Sequence, residues 1–320
     1  MVVQVTEPSV SLLLCTAREH SYRDHPEWTA IGKHVADLAA QRNAPPFELV
    51  VVDGVASRFP WAGLSAFGPP REFDLRHVPP RPAPWVRQRK VSICAYRNTG
   101  IAAARGELIV NLDDTSVLPD NYVATIWRAW NDSRIAIGPL WPSRGDPRRP
   151  GRVTLPGQIY GYGSYPRALA LELNGYDEAY DGAQGLEDCD WSTRLHHAGL
   201  EQGLINLPGF DIEPQTSHSP EAIDVARPVV KCCNCAWQAQ RVRRRVRRAN
   251  LAELWNRETL ASLVGPCQHL HGTQCAHHGG RLRCAYLEQG FATALDPEAA
   301  AVFGEPPVLA PALSTLMASN

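Results

Sequence analysis

The sequence predicts an α/β protein: a mostly parallel sheet with helices on both faces, followed by a smaller, helical C-terminal module. Three observations predict it. Short apolar runs of strand length alternate with segments of helical period through the first half of the chain. Those runs are apolar at consecutive positions, as strands buried on both faces are. The cysteines then change their distribution: Cys15, Cys94 and Cys189 are scattered, whereas Cys232, Cys233, Cys235, Cys267, Cys275 and Cys284 crowd beyond residue 220.

Taken in order, residues 10–15 read as a buried strand that runs into the polar loop Thr16-Ala17-Arg18. Trp28, Ile31, Val35, Leu38 and Ala39 recur at helical spacing, and Asn43-Ala44-Pro45-Pro46 stops that helix. Residues 47–52 form a second strand ending on Asp53-Gly54, which completes a βαβ unit. After a Pro-rich crossover at 79–84, residues 86–105 suit a helix and 107–112 a third strand, with Asp113-Asp114 at its end. Residues 118–130 read as helical and 134–140 as a further strand. Such alternation implies a parallel sheet covered on both sides.

Ligands of these sheets bind outside the carboxyl ends of the strands. Thr16, Arg18, Asp53, Asp113 and Asp114 all stand at such ends. One Asp after a strand commonly serves a turn or a cap; three strands ending in polar or acidic residues on one edge point further. Two adjacent carboxylates repel unless a cation or hydrogen-bond donors compensate, so Asp113-Asp114 suggests Mg²⁺ or Mn²⁺, hard ions that take oxygen ligands.

Composition narrows the class. The 320 residues are 44% hydrophobic and 20% charged, which excludes a disordered, collagen-like or coiled-coil chain. Thirty-two Lys+Arg against 33 Asp+Glu leave a formal net charge of −1, so any polyanion partner must be met by a local basic face. No apolar run reaches the roughly 18 to 20 residues that span a bilayer, and the N-terminus has no signal-peptide pattern. The expectation is a cytoplasmic protein with no membrane contact. Nine cysteines, an odd number, favour thiols or metal ligands over a disulfide framework.

The stretch Arg97-Asn98-Thr99-Gly100-Ile101, then Ala104-Arg105-Gly106-Glu107-Leu108-Ile109, then Leu112-Asp113-Asp114 resembles the nucleotide-sugar half of family 2 glycosyltransferases, which have the Rossmann-like GT-A fold. Leu173-Asn174-Gly175-Tyr176-Asp177-Glu178, followed by Gly185-Leu186-Glu187-Asp188-Cys189-Asp190 and Arg194-Leu195, is similar to the acceptor-side segment of that family. With residues 11–16 and 51–53, the resemblance covers about residues 10–218, its blocks in the family's order.

The resemblance implies a metal-dependent, inverting glycosyltransferase with a nucleotide-sugar donor such as a UDP-sugar. Thr16, Ala17, Arg18 and Asp53 would hold the nucleoside, with Arg97 and Asn98 nearby. Asp113 and Asp114 would position the ribose and the Mn²⁺ or Mg²⁺ that neutralises the leaving diphosphate. Asp188 would be the general base toward an acceptor hydroxyl, with Glu187 binding the acceptor. His218 lies where many GT-A enzymes place a further metal ligand. The chain departs from the pattern at Thr115, where the family often has a third acidic residue, so Asp114 must carry more of the metal binding. Apart from the resemblance, Glu187, Asp188 and Asp190 would also be at home in the first turn of a helix, where carboxylates meet the positive end of its dipole.

We divide the chain into residues 1–220, an extension over 221–304, and a Pro-, Ala- and Ser-rich tail over 305–320. In the extension, Cys267, Cys275, His278 and Cys284 offer three thiolates and an imidazole within 18 residues, a set suited to structural Zn²⁺; reduced buried cysteines beside surface histidines are the alternative. Cys232, Cys235, Ala239, Val242, Val246 and Ala249 fall on one stripe of a helix, which makes Cys232 and Cys235 core residues. Arg241, Arg244, Arg245 and Arg248 share the opposite side, and no acidic residue occurs between Val225 and Leu251. Three readings of that face stay open: solvated or internally paired arginines, a nucleic-acid backbone contact, and an anionic lipid or donor diphosphate. The second would make the acceptor a nucleic-acid hydroxyl, for example a flipped hydroxymethylated base of phage-type DNA; a glycan or small molecule is the other acceptor class. Two rivals to the enzyme remain: a non-catalytic nucleic-acid-binding protein on a degenerate glycosyltransferase domain, and a nucleotidyltransferase.

Overall fold

The computed structural model of the protein describes residues 7–16, 30–53, 73–78, 80, 93–139, 163–178, 180, 187–205, 207–212, 247–249, 270–271 and 274–275. Its centre is a five-stranded sheet in the order β3-β2-β1-β4-β7. β1 (Val10–Thr16), β2 (Phe47–Asp53), β3 (Asp74–Val78) and β4 (Leu108–Leu112) run parallel. β7 (Ser164–Pro166) closes one edge antiparallel to β4. The consecutive apolar positions of β1, β2 and β4 reflect this placement: Leu12, Leu14, Leu49, Val51 and Val110 have no solvent exposure, because interior strands of a parallel sheet are covered on both faces.

The helices fill those faces. α1 (Ala30–Ala39) turns Ile31, Val35 and Leu38 inward, and α2 (Ile93–Ala103) buries Cys94, Ala95 and Ile101. Of the helix expected over 86–105, residues 86–92 lie outside the described residues, and the described part ends at Ala103. It ends before Arg105 because the chain must descend to the start of β4 against β1. There Gly106 comes so close to β1 that a Cβ would lie 2.6 Å from the Ser11 backbone nitrogen. Ser11 Oγ accepts from the Gly106 and Arg105 amides and donates to buried Glu48, which also binds Arg105 and Arg76. The Ala-Arg-Gly-Glu block thus locks the amino-terminal edge of the sheet, the end opposite the candidate site.

The strand β3 was not foreseen. Its Asp, Arg and His belong to an edge, where only Leu75 is fully covered, so it has neither the apolar run nor the clean alternation that marks a strand in sequence.

Beyond β4 come β5 (Ser116–Val117), α3 (Tyr122–Ser133) and β6 (Ala136–Pro139). α4 (Arg167–Glu172), α5 (Glu187–His197), β8 (Gln202–Ile205) and β9 (Asp211–Ile212) follow β7. β6 pairs with β8 in parallel, and β5 with β9 antiparallel. The turn after α4 places Asn174 and Gly175 successively at φ 57° and 67°, which reverses the chain toward Tyr176.

In the extension the structure corrects two expectations. Arg248 and Ala249 lie in a bend, so the helical stripe does not run through them. Ala249 instead is fully buried, its N–H donating to Leu173 O at 3.0 Å, and this ties the extension to the turn after α4. Further on, β10 (Leu270–His271) and β11 (Gln274–Cys275) form a short antiparallel pair, so Cys275 stands on a strand where a helical module was expected. Among the described residues of the extension none is helical. Cys267, His278 and Cys284, and the arginines at 241, 244 and 245, lie outside the described residues.

Candidate active site

The strand order reverses at β1, whose neighbours are β2 on one side and β4 on the other. At such a switch point the loops after the two strands part and leave a crevice at their carboxyl ends. Thr16 ends β1 directly opposite Asp53 at the end of β2. Leu14 pairs with Leu112, so the chain two residues past β4 comes level with Thr16. Thr16 Oγ1 there donates to Asp114 Oδ2 at 3.2 Å. Thr16 therefore stands between two sequence-predicted carboxylates, in register with Asp53 and hydrogen-bonded to Asp114. Ala17 and Arg18 lie outside the described residues.

Asp53 is fully buried, and His77 Nε2 of β3 lies 3.6 Å from its Oδ2. His77 escaped the sequence reading along with its strand.

Asp113 and Asp114 differ in what they do. Asp113 Oδ1 accepts from Thr115 N at 3.0 Å and from Thr115 Oγ1 at 2.5 Å. Its carbonyl accepts from Ser116 N at 3.0 Å and Ser116 Oγ at 2.7 Å. Asp113 is thus wound into the turn that it opens, an Asx turn closed by Thr115, while Asp114 reaches across to β1. The departure at Thr115 acquires a physical sense: where a third carboxylate would add repulsion, a hydroxyl donates to Asp113. β9 lies against β5, which places Ile212 opposite Ser116. The segment that leads toward His218 therefore departs from beside the acidic turn; His218 itself is outside the described residues.

Arg97 of α2 joins this edge to the Glu-Asp block. Its Nη1 lies 3.4 Å from Glu187 Oε1, and its guanidinium sits over the Tyr176 ring, 4.9 Å from the centroid. Burial works against the Arg97 charge, but Tyr176, Glu187, Asp188 and Cys15 together hold its pKa above the ordinary arginine value. Cys15, one residue before Thr16, feels both Arg97 and Asp114; burial dominates and pushes its thiol up to about 12. These mutual influences place the β1 end, Arg97 and the first turn of α5 in one electrostatic cluster.

Glu187 and Asp188 open α5, where the helix dipole favours carboxylates. Asp188 Oδ1 accepts from Cys189 N at 2.8 Å. Burial, then the Asp188 charge and hydrogen bond, raise the Cys189 thiol to about 12. Asp190 turns away from this group into the core and pairs with Arg194 Nε at 2.7 Å, both side chains almost wholly buried.

Asn98 is placed differently from its neighbour. It is fully buried, its Nδ2 donating to Tyr176 O at 2.9 Å and Glu178 Oε1 at 2.8 Å, and its Oδ1 accepting from Tyr176 N at 2.7 Å. The expected donor contact is not where its carboxamide points; it bolts the two sequence blocks together. Tyr176, which the sequence reading left without a role, is the hub of that joint. Its hydroxyl accepts from Asn111 Nδ2 at 2.6 Å, Tyr165 donates to Asn111 Oδ1 at 2.9 Å, and Trp191 stacks on its ring at 4.8 Å. No local signal marks it, because a single tyrosine beside a turn carries no chemistry until the fold brings Arg97 over the ring.

Among the described residues, no group of three or more His, Cys, Asp or Glu side chains is assembled to hold a metal ion, and no helix is long and apolar enough to cross a membrane.

Sheet order and switch point define an α/β protein with a GT-A-like fold: a mostly parallel sheet whose strand ends carry Thr16, Asp53 and, just past β4, Asp114. No family model and no curated protein matches the sequence. Solved structures do match in fold. The chain is similar to Staphylococcus aureus TarS: to TarS 1-349 in complex with UDP-GlcNAc with a TM-score of 0.52 at 12% identity, over 96% of this chain and 87% of that one. The TarS 1-349 complex with UDP gives 0.50 at 14% identity over the same shares. A longer TarS chain gives 0.51 at 13% identity; 97% of this chain is covered, which spans about half, 53%, of that chain.

Proposed function

We propose that this protein is an inverting glycosyltransferase that moves a sugar from a nucleotide-sugar, most simply a UDP-sugar, to an acceptor hydroxyl. The observation that carries the reading is the position of Arg97: its partly buried guanidinium pairs with Glu187 at 3.4 Å and lies within electrostatic reach of Asp188 and of Cys15, the neighbour of Thr16 at the end of β1. Donor and acceptor chemistry need that juxtaposition, because the group that removes the acceptor proton must stand beside the anomeric carbon. TarS complexes with UDP and UDP-GlcNAc, on a similar fold, support the choice of donor.

In this reading Thr16 and Asp53 bind the nucleoside, with Ala17 and Arg18 in the adjoining loop. Asp113 holds the turn, and Arg97 stabilises negative charge on the leaving diphosphate. Asp188 accepts the acceptor hydroxyl's proton as that oxygen bonds to the anomeric carbon. The bond from that carbon to the phosphate oxygen breaks, the diphosphate leaves with the electron pair, and the anomeric centre inverts. Glu187, held by Arg97, orients the acceptor. The donor set at the acidic turn is hard oxygen and fits Mg²⁺ or Mn²⁺, with Asp114 and His218 as its protein ligands. When bound, that ion would neutralise diphosphate charge.

The finer parts of the proposal concern the extension. Cys267, Cys275, His278 and Cys284 would bind one structural Zn²⁺, which metal analysis of the purified protein can test. Arg241, Arg244, Arg245 and Arg248 would meet the phosphates of a nucleic-acid acceptor; Arg248 is exposed, as that role needs. Charge reversal at Arg244 and Arg245 should then weaken DNA binding in a salt-dependent way, and absence of a gel shift with the wild-type protein at low salt would remove this acceptor.

The deciding experiment is a donor and acceptor screen with Mn²⁺, read by mass spectrometry and including hydroxymethylated DNA. Transfer or donor hydrolysis that Asp188→Asn abolishes is the expected result. Nucleotide binding without turnover under all conditions would favour the non-catalytic protein instead.

A further inference from the structure

The acidic turn and the chain that follows it are held by polar side chains of α1 and of the segment just past it. α1 covers the sheet with Ile31, Val35 and Leu38, yet between those residues it buries His34 without any solvent exposure. His34 Nε2 lies 3.0 Å from Ser116 Oγ. The single Ser116 hydroxyl proton goes to Asp113 O at 2.7 Å, so the hydrogen in the His34–Ser116 bond comes from the imidazole, which fixes the Nε2–H tautomer. One turn along, Asp37 Oδ2 accepts from Leu118 N at 3.0 Å. Just past the helix, Gln41 donates to Pro119 O at 2.7 Å and accepts from Val123 N at 2.9 Å. Positions 34, 37 and 41 repeat at helical spacing, and their partners run in order along the chain from 116 to 123.

A structural explanation alone would need only apolar packing here. A buried imidazole in place of a Leu costs stability unless it secures something specific. What it secures is the carbonyl and hydroxyl geometry of the turn that opens with Asp113 and sends Asp114 to Thr16.

We propose that His34, Asp37 and Gln41 are positioning residues that fix the Asp113–Ser116 turn, with His34 as the principal one, and so set where Asp114 stands at the strand ends. The inference rests on the reading that this turn serves the donor.

Two readouts test it. In the ligand-free protein, amide hydrogen exchange followed by NMR should show the Thr115 and Ser116 amides at least about tenfold faster in His34→Leu than in wild type. The amides of β1 and β2 should keep their rates. His34→Gln, which can offer a side-chain N–H at a similar reach, should restore slow exchange. Asp37→Ala should release the Leu118 amide in the same manner and serves if His34→Leu fails to fold. Titration calorimetry with UDP plus Mn²⁺ should then show His34→Leu weakened by about fivefold or more. Val10→Ala, a core truncation at the far end of β1, should stay within about twofold despite a comparable loss of thermal stability.

Unchanged Thr115 and Ser116 exchange in folded His34→Leu, or equal acceleration in Val10→Ala, would overturn the proposal. Should wild type bind no UDP, the donor reading falls while the exchange result still decides the role of His34.

Discussion

Thr16 Oγ1 donates to Asp114 Oδ2 across the junction of β1 and β4, at 3.2 Å. The bond spans the switch point of the sheet, so the acidic turn and the end of the central strand are one unit. Asp114→Ala should therefore abolish the metal-dependent part of nucleoside diphosphate binding, whereas Thr16→Val should weaken it by only a few-fold, about the worth of one hydrogen bond. Calorimetry with UDP in the presence and absence of Mn²⁺ separates the two; an Asp114→Ala protein that still binds more tightly with Mn²⁺ would refute the assignment.

Arg97 sits over the Tyr176 ring, 4.9 Å from its centroid, and pairs with Glu187 at once. A lysine ammonium can make one of these but not both, because it lacks the flat fork. Arg97→Lys should lower kcat/KM by at least about tenfold and Arg97→Ala by about a hundredfold or more, corresponding to roughly 1.4 and 3 kcal/mol of lost transition-state stabilisation. Steady-state kinetics on variants with wild-type circular dichroism check this, and an Arg97→Lys enzyme as active as wild type would contradict it.

Gly106 needs no unusual φ; it needs space. A methyl group there meets the Ser11 and Val10 backbone at 2.6 and 2.7 Å, and backbone in a central strand cannot yield as a side chain can. Gly106→Ala should cost about 1–3 kcal/mol or more, seen as a lowered midpoint in urea. Gly203→Ala, where the nearest atoms are side-chain methyls at 3.6 and 3.7 Å, should change stability far less.

Cys15 and Cys189 are both pushed up to about 12, chiefly by burial. A raised thiol pKa favours the neutral form, so the associated stability is present below the ordinary value of 9.0 and is lost as pH rises through about 12. At pH 8 these two thiols should react with iodoacetamide at least about tenfold more slowly than a free peptide thiol. Peptide mapping by mass spectrometry resolves each site, and rapid alkylation of Cys15 in the folded protein would disprove its placement.

The α/β alternation was legible because β1, β2 and β4 are buried on both faces and must be written as continuous apolar runs. The helix over residues 30–39 was legible for the converse reason, since one of its faces alone meets the sheet. β3 was not, because an edge strand is half solvated and tolerates Asp74, Arg76 and His77. The Glu187-Asp188 pair could be picked out as a motif, but its partner Arg97 lies 90 residues away. Asn98, beside Arg97 in sequence, is consumed by hydrogen bonds to the Tyr176 backbone, while Arg97 lies over the ring of the same residue.

By itself, then, the sequence determined the layering of the protein and the residue types at its strand ends, because hydrophobic period and strand termini are local properties of a chain. Tertiary structure decided which of those residues meet. Strand order put Thr16 and Asp114 in contact, the packing of α2 beside the first turn of α5 put Arg97 against Glu187, and α1 put His34 against the acidic turn. Each of these depends on distances of a few ångströms between segments 82 to 98 residues apart, and no local pattern encodes them.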